Sequence, residues 1–210
     1  MTPRVRVVTI SREYGSGGAA IAAGVARKLG FQLLDRGLIL SIARAGGIEP
    51  SLAVRFDETV DPWLHRLGRA LWHGGFEAVS LVDETTVVDA DRLAMLSQQV
   101  IEEAARLGEC VIVGRGAQCV LRGRSDVLHA FVYAPRDQRI ARLGARLAPG
   151  TDVESAIDET DRERAAYLQH NYARDWKDPQ LYDLMVNSAV GETPGIEIIL
   201  AALSTREKTA

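Results

Sequence analysis

The chain has 210 residues, of which 47% are hydrophobic, 25% charged and 6% aromatic, and its formal net charge is −3. That length predicts one domain, with a core large enough to need no disulfide or metal staple, and the near-average composition excludes wholesale disorder and collagen-like repeats. No apolar run approaches the about 18 residues of a membrane span, and a mildly acidic mixture of charges speaks against nucleic acid as the partner. The N-terminus runs directly into a Val/Ile-rich pattern with no signal-peptide cleavage site. Two cysteines, Cys110 and Cys119, show no zinc-ligand spacing and read as reduced thiols. A cytoplasmic protein with no metal-ligating residues is the expectation.

Residues 5–10 form a short β-branched run that meets a glycine cluster, Gly15, Ser16, Gly17 and Gly18. Residues 19–29 follow as a helix, with Arg27 and Lys28 in its last turn and Gly30 as its stop. A second strand is predicted over 31–34. Residues 37–97 carry Trp63, Trp72 and Phe76 at helical spacings and read as a mostly helical insertion. A helix over 98–107, a strand over 110–113, a strand over 127–133 and a basic helix over 136–146 come next. Residues 147–182 are crowded with charge and hold Tyr167, Tyr172, Trp176 and Tyr182. A last strand over 184–186, a terminal apolar helix over 196–203 and a frayed tail, TREKTA, complete the chain. Short apolar strands alternating with helices predict an α/β fold whose parallel sheet is buried on both faces.

VTISREYGSGG lies between the first strand and its helix, the context that a phosphate cradle requires. Glycines let successive backbone N–H groups converge, and the helix N-terminus adds partial positive charge. The pattern G-x-x-x-x-G-K-[ST] is nevertheless incomplete. With Gly17 as the last glycine, Gly18 stands in the lysine position, Ala19 in the Ser/Thr position and Arg12 in the first glycine position. From the residues alone, an anion site and a bare glycine turn are both open.

Four segments in order carry a resemblance: VTISREYGSGG, LGFQLLDRGLI, VIVGRGAQCVL followed by DVLHAFVYAPRDQRIARL, and YDLMVNSA. Together they resemble the cytidylate kinase-like family, a branch of the P-loop nucleoside monophosphate kinases. The resemblance extends from residue 7 to about residue 203. It implies a P-loop NTPase-type three-layer α/β/α fold with a five-stranded parallel sheet, a helical acceptor-binding insertion at 37–97 and a lid at 145–180, all within one domain spanning 1–210.

The resemblance also implies roles. Gly15, Ser16, Gly17, Gly18 and Ala19 would hold the phosphates of ATP, and Asn187 lies where these kinases keep adenine-binding backbone. Asp35, Arg36 and Arg115 would bind the acceptor, with Asp35 otherwise a helix N-cap and Arg115 otherwise half of an ion pair. Gly116 replaces the aspartate that helps such enzymes read cytosine. Arg12, Arg115, Arg162 and Arg164 would stabilise charge on the migrating phosphoryl group, with Asp161 orienting the last two. A solvated charged helix face is the alternative for Arg162 and Arg164. Mg2+ is implied with ATP, although no carboxylate follows the third strand and Asp35 is the nearest candidate.

The expected activity is ATP-dependent phosphoryl transfer to a small phosphorylated acceptor, a nucleoside monophosphate such as CMP. The alternatives are a nucleotide- or anion-binding module impaired in catalysis by Gly18 and Ala19, and a kinase of another small compound. The expected partner is a small-molecule nucleotide, not nucleic acid or a membrane, and a homo-oligomer is left open.

Overall fold

The computed structural model describes residues 5–39 and 90–208, together with residues 63, 66, 67 and 71. Strand β1 (Val7–Arg12) leads through the glycine loop into α1 (Gly18–Leu29), and β2 (Gln32–Leu34) follows. The chain continues with α2 (Ala90–Leu107), β3 (Cys110–Val113), the short α3 (Ala117–Val120), β4 (Val127–Tyr133) and α4 (Arg136–Gly144). The long α5 (Val153–Tyr172), β5 (Leu184–Asn187) and α6 (Glu192–Lys208) complete it. The five strands form one parallel sheet in the order β2-β3-β1-β4-β5. Among the described residues no helix is long and apolar enough to cross a membrane.

Strand alternation explains the layers, because successive side chains point to opposite faces. Val8 and Ile10 of β1 join Leu128, Ala130 and Val132 of β4 on one face, covered by Ile21, Ala22 and Val25 of α1 and Ile196 and Ile199 of α6. Val7, Ile112 and Val127 face the other way, onto Leu96, Val100, Ile101 and Ala104 of α2. The spacing of those α2 residues by three and four gives one apolar stripe. Each face is buried, so the strands read as nearly continuous apolar runs.

Helix α1 ends as expected: Gly30 has φ 69° and caps the helix, its N–H reaching Arg27 O, with Arg27 and Lys28 in the last turn. Most of the expected insertion over 37–97, including Trp72 and Phe76, lies outside the described residues. Trp63, Leu67 and Leu71, spaced by four, are helical and buried against the α2 side of the sheet, and Trp63 Nε1 donates to Gly108 O at 2.8 Å.

The helix before β3 begins at Ala90, not 98, and so takes in residues assigned above to the insertion. The frayed tail is a correction. Helix α6 runs from Glu192 to Lys208, since Ser204 and Thr205 hydroxyls bond back to Leu200 O and Ala201 O and Arg206 pairs with Asp183.

Candidate functional site

The loop between β1 and α1 turns on two glycines with left-handed backbones, Gly15 at φ 80° and Gly17 at φ 78°. A Cβ at Gly15 would also lie 2.8 Å from Leu143 Cδ1, so both conformation and space exclude a side chain there. Ser16 is fully buried and turns inward: its hydroxyl donates to Glu13 O at 2.8 Å and accepts from Gly18 N–H at 3.3 Å. Helix α1 starts at Gly18 with no acidic residue in its first turn, and Ala19 is exposed. The first-turn amides after Gly18 and the helix dipole make this a place for an anion.

Beside the loop, at the C-terminal edge of the sheet, lies a cleft of about 200 Å³. Four arginines line it: Arg12 from the end of β1, Arg36 after β2, Arg115 after β3 and Arg164 from α5. Among the described lining residues the one carboxylate is Glu163. Burial pushes Arg12 down to about 10, and the neighbouring Arg164 and Arg36 push further in the same direction against Asp35. Burial lowers Arg164 too, against the nearby Asp161. Both stay charged at neutral pH, so the cleft holds crowded positive charge that an anion would relieve.

Local packing fixes the arginines. Arg164 Nη1 donates to Arg12 O at 2.6 Å, and its guanidinium sits 5.7 Å from the centre of the Tyr14 ring. The Arg115 guanidinium lies 4.7 Å over the Tyr167 ring, on a backbone with φ 57°. Gly116 has φ 72°, and a Cβ there would fall 2.2 Å from Tyr172 Cε2. Tyr172 fills the space a residue-116 side chain would need, which accounts for glycine where the resemblance implies aspartate.

The other expected site residues fall elsewhere. Asp35 caps the helix after β2, accepting from Leu38 N–H at 2.8 Å. Asn187 ends β5, and its side chain accepts from Ala189 N–H at 3.0 Å. Arg162 is exposed on α5 and does not line the cleft. Tyr14, Arg139 and Asp161, in contrast, form a clasp around the loop that sequence reasoning largely missed. Tyr14 N–H donates to Asp161 Oδ1 at 2.8 Å, and Tyr14 O accepts from Arg139 Nε at 2.7 Å. Arg139, with its side chain 7% exposed, also pairs with Asp161 and, at 3.3 Å, with Glu13. Lys177 reaches Glu13 at 2.9 Å. Arg142 donates to Ser188 O at 3.1 Å, while Ser188 Oγ donates to Ser16 O at 2.5 Å. The one signal in the sequence was the i, i+3 pair Arg139 and Arg142 on a helix just after β4.

These carboxylates bear on Mg2+. Glu13 and Asp161 are each held by cations, Asp35 caps a helix, and Ala19 offers no hydroxyl. Among the described residues no cluster of three or more His, Cys, Asp or Glu side chains could hold a metal ion. The loop fits a polyphosphate, whereas the described side chains around it do not build a protein-ligated magnesium site.

The model of the cytidylate kinase-like family matches residues 7–190. The chain belongs to the cytidylate kinase-like family. No curated protein matches it. Among solved structures, an uncharacterized protein from Eubacterium ventriosum is similar at TM-score 0.67 and 19% identity, covering 94% of this chain and 98% of that one. Shikimate kinase from Bacteroides thetaiotaomicron is similar at TM-score 0.51 and 15% identity, covering 94% and 98%. Such likenesses establish the fold alone, which in this member of the cytidylate kinase-like family is a five-stranded parallel sheet with helices on both faces.

Proposed function

We propose that this protein transfers a phosphoryl group from ATP to a small phosphorylated acceptor, with a nucleoside monophosphate such as CMP as the leading candidate. The observation that carries the reading is the convergence of Arg12, Arg36, Arg115 and Arg164 on one cleft beside the glycine loop. Phosphoryl transfer leaves the protein little covalent chemistry; it asks for positioning and for neutralisation of spreading negative charge. The loop amides would hold the donor phosphates. Arg36 and Arg115, after β2 and β3, would take the acceptor phosphate, for which a planar guanidinium offers paired donors. Arg164 approaches from α5, which belongs to the expected lid, and Asp161 holds both that arginine and the loop. Gly116 leaves no carboxylate to read cytosine, so the base is the least determined part of the acceptor. No step is assigned to magnesium, since among the described residues no cluster of three or more His, Cys, Asp or Glu side chains could hold a metal ion.

A coupled ADP-release assay across the common nucleoside monophosphates tests the proposal, with turnover on at least one of them expected. Turnover on none, with ATP still raising the melting temperature, would favour the second reading, a nucleotide-binding module that no longer catalyses. Gly18 and Ala19, which remove the lysine and hydroxyl of the generic loop, are what speak for that alternative. Turnover only on an unphosphorylated hydroxyl compound would instead place the protein with other small-molecule kinases.

A further inference from the structure

The generic phosphate loop begins with glycine and carries lysine at its seventh position. Here the two are exchanged, with Arg12 first and Gly18 seventh, and the structure brings the exchanged positions into contact. A Cβ on Gly18 would lie 2.5 Å from Arg12 Cβ, 3.0 Å from Arg12 Cγ and 3.2 Å from Val132 Cβ. Backbone conformation does not demand glycine at this position. Gly18 is the first residue of α1 and is absent from the residues with positive φ, and a helix is better served by almost any other side chain. What excludes one is the stem of Arg12.

At its far end, the same side chain crosses to β3. A Cβ on Gly114 would fall 2.4 Å from Arg12 Nη1. Arg12 therefore runs from the first turn of α1 to the turn after β3, and it lines the cleft on the way. Arg164 holds its backbone through the 2.6 Å bond to Arg12 O.

We propose that Arg12 supplies, from the first position of the loop, the cation that lysine supplies from the seventh, and that Gly18 is the reciprocal half of this exchange. The assignment rests on the phosphoryl-transfer reading for its ligand, the polyphosphate of a nucleoside triphosphate. One consequence follows from shape. A lysine on α1 is a point charge aimed at the donor, whereas a guanidinium spanning the loop and the Gly114 turn has several donors in a fixed plane. It can face the terminal phosphate of the donor and the acceptor in the cleft together. Because one space serves both positions, only one of them can carry a long side chain at a time.

Calorimetric titration with inorganic tripolyphosphate and with ATP tests the exchange in the wild type, Arg12→Ala, Gly18→Lys, Arg12→Gly and the double variant Arg12→Gly/Gly18→Lys. Arg12→Ala is expected to weaken both ligands by about 30-fold, the scale of a lost hydrogen bond to a charged group. Gly18→Lys alone is expected to weaken them too, since two side chains then compete for one space. The double variant, which restores the generic order, is expected to return to within about fivefold of the wild type. If the double variant does not fold, Arg12→Lys decides, with binding about tenfold tighter than Arg12→Ala expected. Wild-type affinity in Arg12→Ala, a double variant no tighter than Arg12→Gly, or no binding by the wild type overturns the exchange. Turnover assays of the wild type run separately from this outcome. Turnover with unchanged binding in Arg12→Ala removes the exchange and keeps the kinase; rescue in the double variant without wild-type turnover keeps the exchange and removes the kinase.

Discussion

At the N-terminal edge of the sheet, Arg124 grips Asp126 through bonds of 2.9 and 2.7 Å, and Arg206 lies 2.8 Å from Asp183. At the C-terminal edge, Arg12 and Arg36 enter no ion pair among the described residues, and Arg12 feels Arg164 and Arg36 more strongly than Asp35. The same residue type thus serves two purposes on one sheet. At the first edge Arg124 and Arg206 are each paired with a carboxylate, and Asp126 raises the Arg124 guanidinium above its ordinary value. At the second Arg12 is half-buried with Arg164 and Arg36 beside it, and is lowered to about 10. Crowding of one sign of charge where the strands end is what the proposed phosphate ligand would relieve.

The largest effect separates the two edges by turnover. Replacing Arg115 or Arg164 with Ala is expected to lower kcat/KM for the best acceptor by about 100- to 1000-fold, as for other donors aimed at transition-state charge. Arg124→Ala removes an arginine of equal charge from the paired edge and is expected to leave kcat/KM within about twofold. Similar losses at both edges, measured in the ADP-release assay, would break the contrast.

Next in size is a stability effect at the clasp. Asp161→Ala leaves Arg139 without its nearer carboxylate and Tyr14 N–H without an acceptor, in surroundings where both side chains are mostly buried. Breaking a buried pair from one side costs about 3 kcal/mol. Urea unfolding should register that loss, and a change under about 1 kcal/mol would show that the loop holds its shape without the clasp. A third, smaller effect has the opposite sign. Arg12→Gln removes a charge held against burial and against two other arginines, so the ligand-free melting temperature should rise by about 2–4 °C. Phosphate ions should raise the melting temperature of the wild type more than that of this variant, and a fall in the ligand-free value would refute the idea of stored repulsion.

Much of the sheet was legible because it rests on local patterns. The runs over 110–113 and 127–133 match β3 and β4 as found, since strands buried on both faces must be apolar throughout. Gly30 and the basic residues before it marked the end of α1 for equally local reasons. The ends of α2 and α6 were less legible, because polar faces and a tertiary ion pair from Arg206 carry those helices beyond their apolar stripes. Arg12, Arg36, Arg115 and Arg164 were singled out from the order of motifs. Their meeting in one cleft is a tertiary fact, set by sheet order and by α5 folding back. The ion pairs of Arg139 and Lys177 escaped notice because their partners, Asp161 and Glu13, are distant in sequence. Gly18 changed its meaning: in the sequence it was a missing lysine, and in the structure it is the space beside Arg12.

The smallest expected effect is a pH dependence confined to the paired edge. His129 is buried in β4 with its Nδ1 2.7 Å from Thr9 Oγ1, and its backbone N–H donates to Asp183. Burial lowers its pKa below 6.5, and Arg206 adds to the shift against Asp183 and the carbonyl of Leu121. The unfolded chain therefore takes up a proton near pH 6.5 while the folded protein does not. Stability is full above that pH and declines as pH falls from 6.5 toward the folded pKa. Asp126 acts in the same direction at lower pH. Its bond from Arg124 holds it below the ordinary carboxylate value, so its contribution is present above about pH 4 and lost as pH falls through the folded pKa. Melting temperatures from pH 8 to pH 5 should slope downward in the wild type and flatten in His129→Gln. Arg12→Gln should keep the wild-type slope, because Arg12 remains protonated throughout that range. A variant at the loop edge that flattened the slope as much as His129→Gln would mean that the two ends of the sheet do not titrate independently.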